Sequence, residues 1–180
     1  MKLTNSQHAY GAVTRVLHWL VALLMIGLIG LGWWMVDLSY TDRWYHDALE
    51  WHKALGMIAL ALGSAKAVWS LVNARVAFAA GLTPHERFAA RTVHGLLLLL
   101  MVLIPVTGYL ISTSAGDGIS LFGLTEVPAL VSKNDRVRDL AIAVHYYAAY
   151  AAAVLACLHA GAALKHQFID SDGTLRKMLW

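Results

Sequence analysis

Charged residues are scarce in this sequence: they make up 14% of the 180 residues, while 59% are hydrophobic and the mean hydropathy is +0.58. Soluble globular domains carry about 25% charged residues, so this class is excluded. The single cysteine, Cys157, has no partner, which excludes disulfides, and it is interpreted as a small hydrophobic packing residue. No internal repeat is apparent.

Four long apolar stretches account for this composition, at residues 16–36, 54–72, 95–111 and 140–164. Each is near the roughly 20 residues that a helix needs to cross a bilayer. The first is too long for the core of a signal peptide and ends at Trp33 and Trp34, which are typical of a membrane interface. The sequence therefore predicts an all-α membrane protein, a bundle of four transmembrane helices in a single domain, residues 1–180.

Basic residues are distributed unequally between the two sides of this bundle. The side holding both termini has eight: Lys2, Arg15, Arg75, Arg87, Arg91, Lys165, Arg176 and Lys177. The opposite loops have four: Arg43, Lys133, Arg136 and Arg138. Positive residues favour the cytoplasmic side, so both termini are predicted to be cytoplasmic. The net charge of +3 is thus a topological signal and gives no reason to expect nucleic acid binding.

The residues between and within the apolar stretches include short patterns that predict local structure. Thr83, Pro84 and Glu86 form a helix-start pattern, which predicts that the third helix begins on the inner surface and continues through the apolar stretch. Pro105 predicts a kink midway along it. The outer connector from Ser114 to Asp139 is rich in turn residues and is predicted to form a partly ordered cap.

Two histidines of the fourth stretch, His145 and His159, are fourteen residues apart. This spacing puts both imidazoles on one helix face, roughly 21 Å apart along the axis. The face between them carries only small residues, Ala149, Ala152 and Ala156. Such a face leaves room for two flat cofactors, one near each membrane surface.

The alternation of four helices matches these histidines in depth with two others. His18 lies near the start of the first helix and shares the inner depth of His159, while His52 shares the outer depth of His145. Two bis-histidine sites are therefore predicted, His18–His159 inside and His52–His145 outside. His94 lies at the inner depth too, and spacing alone leaves it open as an alternative partner of His159.

Haem iron suits such sites better than zinc, because zinc prefers a compact tetrahedral cluster whereas these histidines lie at two depths. No CxxCH motif occurs, so the haems are expected to be non-covalent b haems. Lys66, at the inner depth, and Arg15, one turn before His18, either neutralise haem propionates or extend to the membrane surface. His94 has three other possible roles: a propionate contact, a quinone pocket or an interhelical bond. The remaining histidines, His8, His46, His85 and His166, are expected at the surface.

In its order and spacing of motifs, nearly the whole chain resembles the bacterial cytochrome b561 family. The matching features are Arg15-Val-Leu-His18-Trp19-Leu20, His52, His94 with Pro105, the pair His145 and His159, and residues 168–176, Phe-Ile-Asp-Ser-Asp-Gly-Thr-Leu-Arg. The resemblance implies a four-helix inner-membrane cytochrome with two b haems. It also implies ligation by His18 with His159 and by His52 with His145, so that His94 is not a ligand.

The resemblance further implies single-electron exchange with ubiquinone and superoxide oxidation at the outer face, which would make the chain a superoxide:ubiquinone oxidoreductase. Members tend to have arginine at the position of Lys66. The outer loops carry eight acidic residues against four basic ones, a departure from the positive surface that would steer an anion.

Two other functions compete with this one. The chain could be the cytochrome b anchor of a hydrogenase- or dehydrogenase-like complex, relaying electrons from another donor, although related anchors usually carry extra helices or extended tails. A proton or metal transporter is disfavoured because the apolar stretches contain no carboxylate. Besides lipid, the expected partners are a quinone and either superoxide or an unidentified donor; no residue is singled out as catalytic.

Overall fold

The computed structural model describes residues 2–79 and 81–179. Four long helices dominate it, and a short helix and a two-stranded hairpin complete it. The elements in chain order are α1 (Ala12–Met35), α2 (Tyr45–Val72), α3 (Pro84–Thr113), β1 (Ile119–Leu121), β2 (Thr125–Val127), α4 (Asp135–Phe168) and α5 (Arg176–Leu179). All four long helices are apolar enough to cross a membrane, with mean hydropathies of 1.7 to 2.3 over their most apolar windows. The predicted four-helix membrane bundle is confirmed.

The helices are longer than the apolar stretches from which they were predicted. The stretch at residues 54–72 is part of a helix that begins at Tyr45, and the stretch at residues 95–111 belongs to one that begins at Pro84. Hydropathy marks the part of a helix that lies in hydrocarbon, whereas backbone hydrogen bonding carries the helix on through its polar ends. The connector between α1 and α2, residues 36–44, is therefore shorter than the gap between the first two apolar stretches, residues 37–53.

The start of α3 follows the pattern predicted from its sequence. The Oγ1 atom of Thr83 accepts a hydrogen bond from the backbone of Glu86, and the Glu86 carboxylate accepts one from the backbone of Thr83. This reciprocal arrangement satisfies two backbone donors that a helix start otherwise leaves free. The prediction that the third helix begins before its apolar stretch is confirmed.

Pro105 lies inside α3 and shapes its contact with α2. Because proline has no N–H, the carbonyl of Met101, four residues earlier, lacks its helical hydrogen bond. Gly63 of α2 packs against that carbonyl, and a Cβ atom built on Gly63 would lie 2.9 Å from the oxygen. The close approach of the two helices at this point therefore requires glycine.

Neighbouring helices in the chain are neighbours in space: α1 packs on α2, α2 on α3 and α3 on α4. The side of the bundle between α1 and α4 is different, since these two helices meet at only a few positions. Most large apolar side chains on the outer surface are exposed, as lipid-facing residues are in a bundle viewed without its bilayer. Space for a cofactor is thus concentrated along α4.

Both termini lie at one end of the bundle, here called the termini end. Asn5 bonds to Asn73 and Ala74 after α2, and the indole of Trp19 donates to the carbonyl of Met178 at 3.0 Å. The N-terminal segment is therefore bound to the residues that follow α2, and the C-terminal residues are bound to α1.

The opposite, or far, end is covered by the connector between α3 and α4. Sequence reasoning missed that part of this connector forms an antiparallel hairpin, in which Ile119 pairs with Val127. The turn at Phe122 and Gly123 has positive φ at both residues, and the Phe122 ring contacts Trp51 of α2. The hydroxyl of Tyr109 donates to the carbonyl of Pro128 at 2.9 Å. The predicted ordered cap is present, and its strands are too short to show a period in the sequence.

Candidate metal centres

The far-end pair consists of His52 on α2 and His145 on α4. Their ring centroids are 6.1 Å apart. A metal–imidazole bond is about 2 Å long, so an ion held between two facing imidazoles separates the ring centroids by about 6 Å. The two rings are therefore at the spacing that a shared metal ion needs.

The protonation of His145 also suits a ligand. Its Nδ1 atom lies 2.9 Å from the carbonyl oxygen of Ile104, and a carbonyl can only accept a hydrogen bond. Nδ1 is thus the protonated nitrogen, which leaves Nε2 with a free lone pair. Histidines that bind metals usually donate their other N–H to such a carbonyl, because the bond fixes both the tautomer and the ring orientation.

His52 has no such anchor. Its Nδ1 atom is buried and has no hydrogen-bond partner among the described residues. A buried polar atom without a partner is costly, and most such atoms in proteins are satisfied. An imidazole left unsatisfied by the protein fits a site that is completed by an external group.

Two glycines stand behind the far-end rings. A Cβ atom on Gly32 of α1 would lie 3.2 Å from Cε1 of His52, and one on Gly108 of α3 would lie 3.1 Å from Cε1 of His145. Both distances are shorter than ordinary carbon–carbon contacts. The absence of side chains at these positions lets both imidazoles sit where they do, and sequence reasoning did not identify this role.

The termini-end site brings together three histidines. His18 of α1 and His159 of α4 have ring centroids 6.2 Å apart, while His94 of α3 is 5.1 Å from His159. The first spacing is within 0.1 Å of that of the far-end pair. The second is the spacing of direct ring contact and leaves less room for an ion, so the geometry favours His18 over His94 as the partner of His159.

Two basic side chains lie near this termini-end cluster. The charge of Lys66, on α2, acts on all three histidines. Arg15 is one helical turn from His18, and its Nε atom is buried without a hydrogen-bond partner among the described residues. An anionic group at this site would find a positive counter-charge in both. Haem carries such groups in its propionates.

The wall between the two sites is the face of α4 on which the sequence places small residues. Ala152 is buried, and Ala149 and Ala156 are partly buried. Ala152 packs with Leu100 and Ile104 of α3 in the core of the bundle, so the two histidine sites lie on either side of a packed centre. The residues present therefore fit one flat, metal-bearing cofactor at each end of α4, and Arg15 and Lys66 would lie near the polar edge of the termini-end one.

The remaining histidines lie elsewhere. His8, His46 and His85 are exposed, as expected. His166 was also predicted at the surface, but it is largely covered, in the last turn of α4, and its Nδ1 atom lies 2.8 Å from Asp170 and 3.2 Å from Asp172. The sequence does not show this contact, because its acidic partners, Asp170 and Asp172, lie in the turn that follows α4.

The His166 cluster joins the ends of two helices. Lys165 bonds to Glu86 at 3.1 Å and to Asp170 at 2.8 Å, which ties the start of α3 to the end of α4. Burial raises the pKa of Asp172, but hydrogen bonds from Thr174 and the charges of His166 and Lys177 outweigh it, so the net pKa is below its usual value. Glu86, His166 and Asp170 lie close enough to hold a cation. Lys165 already provides the positive charge there, and we interpret the cluster as a structural clamp.

Comparison with known proteins identifies the family of this chain. The family model described as prokaryotic cytochrome b561 matches residues 9–180. The chain belongs to the prokaryotic cytochrome b561 family. It is 40% identical to cytochrome b561 homolog 2 of Escherichia coli strain K12, over 99% of this chain and 95% of the relative.

A more distant relative is also covered almost end to end. The chain is 27% identical to a probable superoxide oxidase, CybB, of Yersinia pestis, over 94% of this chain and 95% of that protein. A third relative, cytochrome b561 homolog 1 of E. coli, is 31% identical over 51% of each chain. Membership of the cytochrome b561 family makes this chain a multi-pass membrane cytochrome of electron transport that binds b-type haem.

Proposed function

We propose that this cytochrome b561 holds two b haems and transfers single electrons across the cell inner membrane, between a donor at the far end and ubiquinone. Residues 1–180 form one membrane domain in this proposal, and both termini are cytoplasmic. The observation that carries it is the pair of equal gaps, 6.1 and 6.2 Å between ring centroids, at the two ends of α4. One gap at each depth is what a transmembrane relay with two cofactors requires.

Each proposed ligand pair has its own supporting side chains. His52 and His145 hold the far-end iron, with Ile104 fixing the His145 tautomer and the two glycines allowing close packing. His18 and His159 hold the termini-end iron. When bound, haem iron between two imidazoles supplies reversible one-electron chemistry. The protein's part is to fix the ligands, exclude water and balance the charge of the propionates through Lys66 and Arg15.

An apolar cavity supports the assignment of ubiquinone. It has a volume of about 520 Å³ and lies between α2 and α3, lined by Ala67, Gly95, Leu98, Leu99, Val102, Leu103 and Val106. Lys66 and His94 directly precede Ala67 and Gly95 in the chain, so two polar residues are sequence neighbours of the cavity lining. An isoprenoid quinone needs this combination, an apolar groove for its tail and a hydrogen-bonding group for its head. His94, exposed and beside His159, is the residue we assign to the head group.

The identity of the donor rests on the relatives. The name of the Yersinia protein supports superoxide as the donor. At the far end, the connectors and the first two turns of α2 and α4 together carry eight acidic residues against four basic ones, which does not favour an anion on long-range charge alone. We therefore propose one-electron transfer to ubiquinone as the activity and superoxide as the donor to be tested first.

The test of the ligands compares His18→Ala with His94→Gln in the purified protein. We expect His18→Ala to lose one of two haems per chain and His94→Gln to keep both, with slower ubiquinone reduction in the latter. The remaining haem of His18→Ala reports that the chain is folded. A full complement of haem in His18→Ala would contradict the assignment, as would loss of a haem in His94→Gln.

The test of the donor uses the wild-type chain alone. Generated superoxide should reduce the bound haem and then added ubiquinone, in a reaction that superoxide dismutase abolishes. Haem that stays oxidised under superoxide, but is reduced by a dithionite control, would reject superoxide and favour a protein donor docked at the far end.

A further inference from the structure

A second cavity lies at the termini end, outside the proposed haem and quinone sites. Its volume is about 760 Å³, within the range of small-ligand sites. It is formed where three parts of the chain meet: the N-terminal segment, the region from the α2–α3 connector into α3, and the C-terminal segment. The side chains relevant here are His8, Phe78, Arg87, Arg91, Asp172 and Lys177. None of the four proposed haem ligands lines it.

The charge of this cavity is strongly positive. Arg87, Arg91 and Lys177 contribute three positive charges against the single negative charge of Asp172. Asp172 accepts a hydrogen bond from the backbone of Thr174 at 2.9 Å through Oδ1, and its Oδ2 atom lies 3.2 Å from Nδ1 of His166. Three cations therefore share a single carboxylate in this cavity.

These cations make no direct ion pair within the described part of the chain. Among residues 2–79 and 81–179, no carboxylate lies within 4.0 Å of the charged nitrogens of Arg87, Arg91 or Lys177, whereas Arg138 and Lys165 are ion-paired. Asp172 lies near enough for the charge of Lys177 to act on it. The guanidinium of Arg91 is instead stacked 5.4 Å from the ring centroid of Phe78. Stacking orients a guanidinium while leaving its hydrogen-bond donors free. The cavity is thus built to receive an anion.

The position of the cavity relative to the apolar part of the bundle indicates which anion. Arg87 and Arg91 lie in the first turns of α3, before its apolar stretch begins at residue 95. Phe88, between them, is 72% exposed. A basic first turn with an exposed aromatic side chain is typical of the headgroup layer of a bilayer. A phosphate group in this layer lies at the height of the arginines.

We propose that this cavity binds a phosphate-bearing anion, with Arg87 and Arg91 contacting the phosphate oxygens and Lys177 completing the charge. Arginine suits this role because its planar donors match phosphate oxygens in pairs. The same chemistry is offered by the headgroup of an acidic phospholipid and by a free phosphate ester, and the two sources differ in whether an acyl chain is required.

The test is a binding titration of the haem-loaded protein in detergent, followed by native mass spectrometry. The probes are dioctanoyl phosphatidylglycerol, dioctanoyl phosphatidylcholine and glycerol phosphate. The double variant Arg87→Gln/Arg91→Gln is compared with Arg75→Gln/Arg176→Gln, whose residues are exposed and do not line the cavity. Both variants lose two positive charges at the same end of the bundle, so the control accounts for any general effect of lost charge on binding.

We expect the cavity variant to bind phosphatidylglycerol about 30-fold more weakly than wild type, since each basic residue near a membrane surface is worth a factor of about five. The control variant should change by less than about threefold, and the haem spectrum should be unchanged in both. If the double variant Arg87→Gln/Arg91→Gln does not hold haem, Lys177→Gln replaces it, because Lys177 lies outside the four long helices. We expect Lys177→Gln to weaken the binding of phosphatidylglycerol about fivefold.

The remaining outcomes are decisive as well. Competition by glycerol phosphate would support the site and identify a soluble phosphate ester as the ligand, and its absence would identify the lipid. Equal binding of phosphatidylcholine, or an equal loss in the control variant, would overturn the proposal and leave only a general positive surface.

Discussion

The glycine behind each far-end imidazole gives the sharpest test of that site, and Gly108→Ala is the variant to make first. The new Cβ atom would lie 3.1 Å from Cε1 of His145 and 3.4 Å from its Nδ1. Carbon atoms in contact prefer about 3.5 to 4.0 Å, so the ring must retreat by roughly half an ångström. It cannot do so freely, because its Nδ1 atom is held at 2.9 Å by the Ile104 carbonyl.

The size of the effect follows from two opposing contributions. Overfilling a packed site destabilises the folded state by about 1–3 kcal/mol. Alanine in place of glycine within a helix stabilises it by about 1 kcal/mol. The net loss of up to about 2 kcal/mol corresponds to as much as a 30-fold weaker affinity for the far-end haem. We expect the termini-end haem to be unaffected, because Gly108 does not touch its ligands.

The assay is haem content per chain with a redox-titrated optical spectrum. Gly27→Ala is the matched control, because Gly27 is also helical and a Cβ atom there meets nothing within 4 Å. Gly108→Ala should lose or shift one of two spectral components, while Gly27→Ala should keep both. Identical haem content and potentials in the two variants would refute the reasoning, since the His145 ring would then tolerate a contact that the structure makes too short.

Two further variants probe α3. The Thr107 hydroxyl donates to the Ile104 carbonyl at 2.8 Å and lies 3.3 Å from Nδ1 of His145, for which that carbonyl, at 2.9 Å, is the nearer acceptor. In Thr107→Val the carbonyl accepts from His145 without this competitor, and the stronger His145 bond should lower the far-end haem potential by roughly 20–40 mV in a redox titration. A rise in the potential would show that the lost contact with the hydroxyl matters more. Gly63→Ala places a carbon 2.9 Å from the Met101 carbonyl oxygen and should lower the free energy of unfolding by up to about 2 kcal/mol, after the gain in helix propensity is subtracted from the cost of overpacking. This is measured as a lower Tm than wild type, and an unchanged Tm would show that the helices separate without cost.

The fold could be predicted because a bilayer restricts what a chain can do. Backbone groups in hydrocarbon must bond within their own helix, so four apolar stretches fix four helices and leave few arrangements. The start of α3 at Thr83 was predictable for a different reason, as capping is local and has a short sequence pattern. The hairpin at Ile119 and the contact of His166 with Asp170 were not predictable, because each depends on residues that only the folded chain brings together.

Some features of the candidate sites were likewise predictable from the sequence, and others were not. Helix alternation is enough to place His18 near His159 and His52 near His145, because depth in the membrane is counted along the chain. Rotation of a helix about its own axis cannot be counted in this way. The contact of Gly108 with His145, the free Nδ1 atom of His52 and the position of His94 beside His159 all depend on rotation.

The two sites have equal gaps but unequal surroundings, and this difference bears on the direction of electron flow. The far-end pair is backed by glycine and a carbonyl, whereas the termini-end pair lies near the charge of Lys66. A positive charge beside an iron favours its reduced form, because reduction lowers the positive charge of the iron. A hydrogen bond from a ligand imidazole to a carbonyl makes that imidazole more basic and favours the oxidised form. If haem iron occupies both sites as proposed, both effects would place the higher potential at the termini end, and electrons entering at the far end would move toward that end.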